Sequence, residues 1–362
     1  MTAVAPTSES TSLKSSGMSS FHTKKVIRFG YIRLLDAVPF LVASHFGYFK
    51  KYDISVRLVR EPGWATIRDK MIFGELDVCH ALGPMPFALN LGLFGNEAAC
   101  HTSMFTSSNG NALTLSSKIP PATANSPDDL RHAILSVSML RKPIFGIVSP
   151  YSSHLYLLRK WLNGLKINPD KDVKIVILPP DQMCRNLRAG HIDGFCAGEP
   201  WNTLASEYKF GWTAATSWTI DSFHPEKCLM ASRDFVYKYR ELYICLIAAL
   251  LDSCQFCDDY RNTDAIDELT TTEYSNPLKN LDFMLGAEKR NIHQNLFKRI
   301  SNSNKITFYQ KETNYPSSDK AMWILNGMKE AGQLDDITVN PDIILERVLS
   351  PEFYEEALDF TK

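Results

Sequence analysis

The chain has 362 residues, of which 44% are apolar and 22% charged, and a formal net charge of −1. That length supports two ordinary domains or one unit with two lobes, and the apolar fraction is that of a folded globular protein. A charge this close to zero offers no broad basic field, so direct nucleic-acid binding and attachment to anionic lipid are not expected.

Residues 1–25, MTAVAPTSESTSLKSSGMSSFHTKK, are rich in Ser and Thr. They lack the apolar stretch of roughly 7–15 residues that a secretory signal needs. They read as a disordered leader, and a cytoplasmic location is expected. The longest apolar run, YICLIAALL at 243–251, is too short to span a membrane and predicts a buried helix, so no membrane partner is expected.

In chain order, VIRFGY (26–31) reads as a buried strand. LLDAVPFLVASHFGYF then reads as a helix that starts near Asp36, with Asp36 as its candidate N-cap. ISVRLVR (54–60) alternates apolar and polar residues as a strand does, ATIRDKMIFGE predicts a helix, and LDVCHALG a short buried strand. Strands and helices in this alternation mean βαβ units and a parallel sheet.

The pattern then restarts. AILSVS and FGIV are apolar runs, SSHLYLLRKWLNGL a helix, DVKIVIL a strand, PPDQMCRNLRAG a short helix opened by prolines, and IDGFCAG another strand. Beyond 225 the pattern is mainly helical, at 232–258, 262–272, 278–287 and 317–332. Two sheet-forming blocks, near 26–116 and 130–220, predict an α/β protein of two lobes with a cleft between them.

Eight cysteines stand at 79, 100, 184, 196, 228, 245, 254 and 257, and they are expected to be reduced thiols. Cys254 and Cys257 have the spacing of half a zinc site, but no second pair follows. Helix packing is the expected role, and neither metal nor cofactor is assigned.

No G-x-S-x-G elbow, phosphate loop or H-E-x-x-H helix is present, so no catalytic residue is assigned and binding is expected instead of catalysis. Ligands of open α/β sheets sit beyond the carboxyl ends of strands. The turns there are EPGWATIRDK (61–70), SPYSSHLYLLRKW (149–161), AGHIDGFCAGEPWN (189–202) and SFHPEKCLM (222–230). They offer Trp64, His154, His191, Glu199, Trp201, His224 and Lys227. Each also has an ordinary reading: a packing tryptophan, a satisfied histidine, a helix-start carboxylate, a surface lysine.

Those turns carry a resemblance. GYIRLLDAVPFLVASHFGYFKKYDISVRLVREPGWATIRDKMIFGELDVCHALGPMPFAL is similar to the first lobe of the nitrate/bicarbonate solute-binding family (NrtA/CmpA-like). LLRKWLNGLKINPDKDVKIVILPPDQMCRNLRAGHIDGFCAGEPWN resembles its second lobe, and NYPSSDKAMWILNGMKEAGQL and ERVLSPEFYEEAL resemble its C-terminal helices. The resemblance covers about 26–360. It implies a two-lobed, periplasmic-binding-protein-like (type II) α/β fold with a central ligand cleft and a hinge. Lobe I would comprise 26–116 plus 222–362, and lobe II 117–221.

Without an export signal the chain looks like the cytoplasmic NasS-type nitrate/nitrite sensors. The resemblance then implies a partner, a NasT-type ANTAR antiterminator, held by the ligand-free sensor and released when nitrate or nitrite binds. The alternative is the solute-binding subunit of a nitrate ABC transporter. Thiamin-pyrimidine synthases share a related fold but are associated with iron and a dense cysteine cluster, which these scattered cysteines do not match.

By motif, Trp64 matches the tryptophan that lies against the anion, and His191 a ligand-contacting position. His154 matches a position where transporter proteins have glutamine; Gly198 and Glu199 complete the ligand-binding set. Lys227 matches the nitrate-type lysine, where the bicarbonate type has glutamate. An ammonium about 4 Å from a monovalent anion attracts it by roughly 4 kcal/mol at an effective dielectric near 20. Two departures stand out. Asp53 replaces a usual glycine, and LLD at 34–36 lacks the usual Thr or Ser before its aspartate.

Overall fold

The computed structural model describes residues 25–273, 296–304 and 306–361. The leader, apart from Lys25, and the helix expected at 278–287 lie outside the described residues. Among the described residues, ten strands form two sheets of the same plan. The first has the order β2-β1-β3-β10-β4, with β1 Val26–Tyr31, β2 Ser55–Arg60, β3 Val78–Leu82, β4 Cys100–Ser108 and β10 Pro225–Ser232. The second has the order β7-β6-β8-β5-β9, with β5 Asn111–Ser116, β6 Ile144–Ile147, β7 Lys174–Ile177, β8 Gly194–Gly198 and β9 Gly211–Thr216.

In each sheet three neighbouring strands run parallel, and one strand, β10 in the first and β5 in the second, enters antiparallel between them and an edge strand, β4 or β9, that runs with the three. The parallel strands are the βαβ units that the sequence predicts. β3 and β8 are buried at every position, because helices cover both faces of a sheet centre. The helices that matter for the site are α1 Val38–His45, α2 Trp64–Ile72, α3 Ser153–Gly164, α4 Arg240–Asp258 and α5 Ser318–Glu330. The run 243–251 lies within α4 and is buried throughout.

Four local expectations need correction. SFHPEKCLM is not a turn: from Pro225 onward it is β10, wedged between β3 and β4 and buried from Pro225 to Ala231. AILSVS begins inside the helix Pro127–Leu135, whose apolar face that run completes. Asp36 caps nothing; it sits in a short 3-10 turn, Leu35–Ala37, and α1 opens with Pro39 in its first turn and no side-chain cap. Finally, Asn111–Ser116 hydrogen-bonds to β8 and β9, so the lobe I boundary set at 116 moves back to about 109.

The chain thus crosses between sheets at 109–110 and again at 217–224. Asn109 (φ 61°) and Gly110 (φ 86°) both take left-handed conformations to make the first crossing. The Asn109 Oδ1 accepts from the Phe223 backbone N at 3.0 Å, tying the two crossings together. Asp53, standing where a glycine was expected, has φ 51°, a conformation that Asp adopts more readily than most residues.

Gly110 combines a positive φ with crowding, since an added Cβ would lie 2.9 Å from Ile306 Cδ1. Gly110→Ala is expected to lower stability by about 1–2 kcal/mol, the usual cost of a left-handed non-glycine residue. Urea denaturation should show it as a lower midpoint with an unchanged slope.

Candidate functional site

The site forms where the carboxyl ends of the parallel strands of both sheets face each other. The turn after β1 brings Asp36, β3 brings His80, the first residue of α2 brings Trp64, and the start of α3 brings Ser153 and His154. β8 ends at Gly198, and β5 begins at Asn111. β10 runs antiparallel to β3, so its first residues, Glu226 and Lys227, lie beside the carboxyl end of β3, with Lys227 opposite Leu82. Neighbouring side chains on a strand normally point to opposite faces. Register shifts on either side of Lys227 break that alternation, and both side chains reach one cluster.

Lys227 is wholly buried. Its Nζ lies 2.7 Å from Asp36 Oδ2 and donates to Glu226 Oε1 at 2.5 Å. It also stands 5.6 Å from the centroid of the Trp64 ring, a cation–π geometry. Glu226 is equally buried, and its Oε2 accepts from Asn111 Nδ2 at 2.5 Å and from Ser153 Oγ, and meets His224 Nε2 at 3.2 Å. His154 Nε2 stands 3.7 Å from Glu226 Oε1, and His80 Nε2 3.5 Å from Asp36 Oδ1. The lysine expected to face an anion alone is therefore bracketed by two carboxylates.

Burial and charge act against each other here. Burial alone would raise the Glu226 carboxyl, but Lys227, His154 and His224 hold it well below its ordinary value. Burial works to lower Lys227, and Asp36 and Glu226 overcome it, so the ammonium is held above its ordinary range. The Asp36 carboxyl is raised by burial against the pull of Lys227. Burial pushes His154 down to about 4 and His80 well below its usual value, so both imidazoles are neutral at pH 7.

Several polar atoms in this cluster have no hydrogen-bond partner among the described residues: Trp64 Nε1, both ring nitrogens of His80 and His154, Asp36 Oδ1 and Asn111 Oδ1. Buried polar atoms are nearly always paired, so a concentration of unpaired ones marks a place built for a polar ligand. Trp64 is also the wall shared with a cavity of about 400 Å³ between the lobes, lined by Arg68, Phe94, Val148, Tyr151 and Ile177. Gly198 borders the cluster: a Cβ there would lie 3.5 Å from Asp36 Oδ2 and 3.4 Å from Asn111 Oδ1.

Of the residues singled out in the sequence, Trp64, His154, Gly198, His224 and Lys227 meet in this cluster. Glu199 is adjacent, but its Oε2 accepts from the Thr203 backbone N at 3.1 Å, and its carbonyl accepts from the Leu35 N at 3.0 Å, joining the lobes. His191 does not join. It is exposed, hydrogen-bonded to Asn186, and stands before the amino end of β8, so roughly 20 Å of extended chain separates it from Gly198. Asp36, His80, Asn111, Ser153 and Glu226 join the cluster without having been predicted as site residues. Glu226 alone carried a local signal, an acid between His-Pro and Lys in a run otherwise apolar.

Among the described residues no His, Cys, Asp or Glu group is placed to hold a metal ion, and no helix is long and apolar enough to cross a membrane.

Residues 22–271 match the model of the NMT1-like family, and the chain belongs to that family. It is 38% identical over 338 residues to the nitrate import ATP-binding protein NrtC of Synechocystis sp. PCC 6803, covering 91% of this chain and 49% of that protein. With the nitrate/nitrite binding protein NrtA of Nostoc sp. PCC 7120 it shares 26% identity over 334 residues, 88% of this chain and 73% of that one. The chain thus spans about half the length of the first of these relatives. The crystal structure of the periplasmic nitrate-binding protein NrtA from Synechocystis PCC 6803 superposes with a TM-score of 0.81 at 22% identity, over 93% of this chain and 89% of that one. The fold is therefore that of two-lobed solute-binding proteins.

Replacing Lys227 by Met would strand Asp36 and Glu226 in a dry interior. Breaking a buried pair in this way costs about 3–5 kcal/mol. Denaturation at pH 7 should show that loss for Lys227→Met, and most of it should return when Asp36→Asn and Glu226→Gln are added. An unchanged midpoint in the single variant would contradict the coupling.

Proposed function

We propose that this member of the NMT1-like family binds nitrate or nitrite between its lobes and works as a binding protein with no chemistry on its ligand. One observation carries the reading: beside the buried ammonium of Lys227, the indole N–H of Trp64 and the ring nitrogens of His80 and His154 lack protein partners. A flat oxyanion accepts in-plane hydrogen bonds at each oxygen, and such donors around an indole face suit it. Relatives named for nitrate and nitrite support the same ligand.

In its finer form the protein is a cytoplasmic nitrate/nitrite sensor, with no direct nucleic-acid contact. It holds an ANTAR-type antiterminator while ligand-free and releases it on anion binding, and so controls nitrate-assimilation genes. The resemblance to NasS-type sensors supports this, and eight buried cysteines, all free thiols, suit a reducing compartment. A second reading, the anion-binding module of a nitrate import system, is favoured by the relatives named as nitrate import proteins.

Isothermal titration is expected to give saturable binding of nitrate or nitrite. Trp64→Phe keeps the ring and removes the N–H. It should weaken affinity about 10-fold or more, as loss of a hydrogen bond to a charged group does. Unchanged affinity would remove Trp64 from the site.

The sensor reading has its own test. A purified ANTAR-type antiterminator should co-elute with the ligand-free protein and separate when nitrate is added. Failure to co-elute, with nitrate binding intact, favours the import module.

A further inference from the structure

His224 faces an acceptor at each ring nitrogen. Its Nδ1 lies 2.9 Å from the Asp221 carbonyl oxygen, and its Nε2 lies 3.2 Å from Glu226 Oε2. A neutral imidazole has only one N–H, so it can satisfy one of these contacts and must turn a lone pair toward the other. Placing the missing proton on Glu226 does not resolve this. Against the effect of its burial, Lys227, His154 and His224 hold the Glu226 carboxyl well below its ordinary range, so it has no proton to give. The arrangement is complete only with a proton on both nitrogens of His224.

We infer that His224 is held as an imidazolium and supplies the second positive charge of the site, so that anion binding is linked to its proton. Asp36 and Glu226 contribute two negative charges, Lys227 one positive, and His80 and His154 none at neutral pH. With His224 charged, the cluster presents no net repulsion to a monovalent anion; with His224 neutral, the net charge is −1. His224 acts through Glu226 and is a positioning residue. The inference rests on the anion-binding reading above.

The groups around His224 are consistent with a cation. The Trp323 ring of α5 lies 5.7 Å from its own, tilted by 33°. The Asp221 carboxylate turns the other way, accepting from Trp323 Nε1 at 2.9 Å and from Lys160 Nζ of α3 at 2.8 Å. Facing the cluster from the other elements are His154 of α3, Glu226 and Lys227 of β10, His80 of β3, and Asp36 in the turn before α1. Lys227 and Lys160 oppose the proton on His224. Glu226 in direct contact, and the Asp221 carbonyl, favour it.

The sign of the linkage follows. The anion is held best while His224 carries its proton, so affinity is greatest at low pH. It falls as pH rises and that proton is given up, by up to tenfold per pH unit. Titration of the full chain with sodium nitrate across pH 5.5–9 should show this slope. His224→Gln should bind weakly with a flat profile, and Asp36→Asn should keep the slope. A slope that survives in His224→Gln, or vanishes in Asp36→Asn, overturns the assignment.

A second measurement does not depend on the variant folding. In the ligand-free wild-type protein, labelled with ¹⁵N-histidine, one buried histidine should show both ring nitrogens in the protonated range at pH 7. This signal should be lost in His224→Gln. A neutral pattern for His224 overturns the proposal even where nitrate binds. Absence of nitrate binding at every pH would overturn the anion reading and the linkage with it, leaving the nitrogen shifts to judge the charge on His224 alone.

Discussion

The structure is organised around burying one ammonium. Moving an isolated lysine cation out of water into a protein interior costs several kcal/mol even after relaxation, and usually the group deprotonates instead. Here the charge is kept because Asp36 and Glu226 approach it from two sides, at 2.7 and 2.5 Å. Those carboxylates are themselves out of water and need donors of their own. Glu226 finds them in Asn111, Ser153 and His224. Each partner recruits the next until the network spans both sheets, so the position of one side chain constrains five segments of chain.

Topology makes that network possible. Because β10 enters the first sheet antiparallel, its beginning lies where the parallel strands end, and Glu226 and Lys227 are delivered to the ligand-binding edge. The second sheet repeats the plan with β5, whose first residue is Asn111. The two antiparallel strands directly follow the two crossings between lobes. The same segments that join the lobes therefore carry the residues that meet between them, and the site is coupled to any movement of one lobe against the other.

The parallel strands and their helices were legible in the sequence because their apolar runs and turn residues are local signals. β4 (CHTSMFTSS), β5 (NALTLS) and β10 (PEKCLMAS) were not, since they bury Ser, Thr, Asn, Glu and Lys inside sheets and look like surface strands or loops. The site divides in the same way. Trp64, His154, Gly198 and Lys227 stand in motif-bearing segments, whereas Asp36 looked like a helix cap and Asn111 carried no local signal. His191 was assigned by its likeness to a family motif. Chain order sets it before β8, at that strand's amino end and away from the carboxyl edge where the cluster forms.

Glu226 also limits what a ligand can add. It belongs to the first sheet, yet its carboxylate is held by Asn111 and Ser153 of the second lobe, so the protein's own acid already makes the bonds that draw the lobes together. An anion strengthens closure only through the donors that Glu226 leaves unpaired, those of Trp64, His80 and His154. Charge-assisted hydrogen bonds contribute about 1.5–3 kcal/mol each. Two or three of them supply roughly 3–9 kcal/mol before the cost of stripping water from the anion. Driving a two-state element from 1:99 to 99:1 takes about 5.5 kcal/mol of differential binding. If the proposed anion closes the lobes, closure on that scale would draw on nearly all of these free donors, and a ligand that reaches only one of them would bind without moving the lobes.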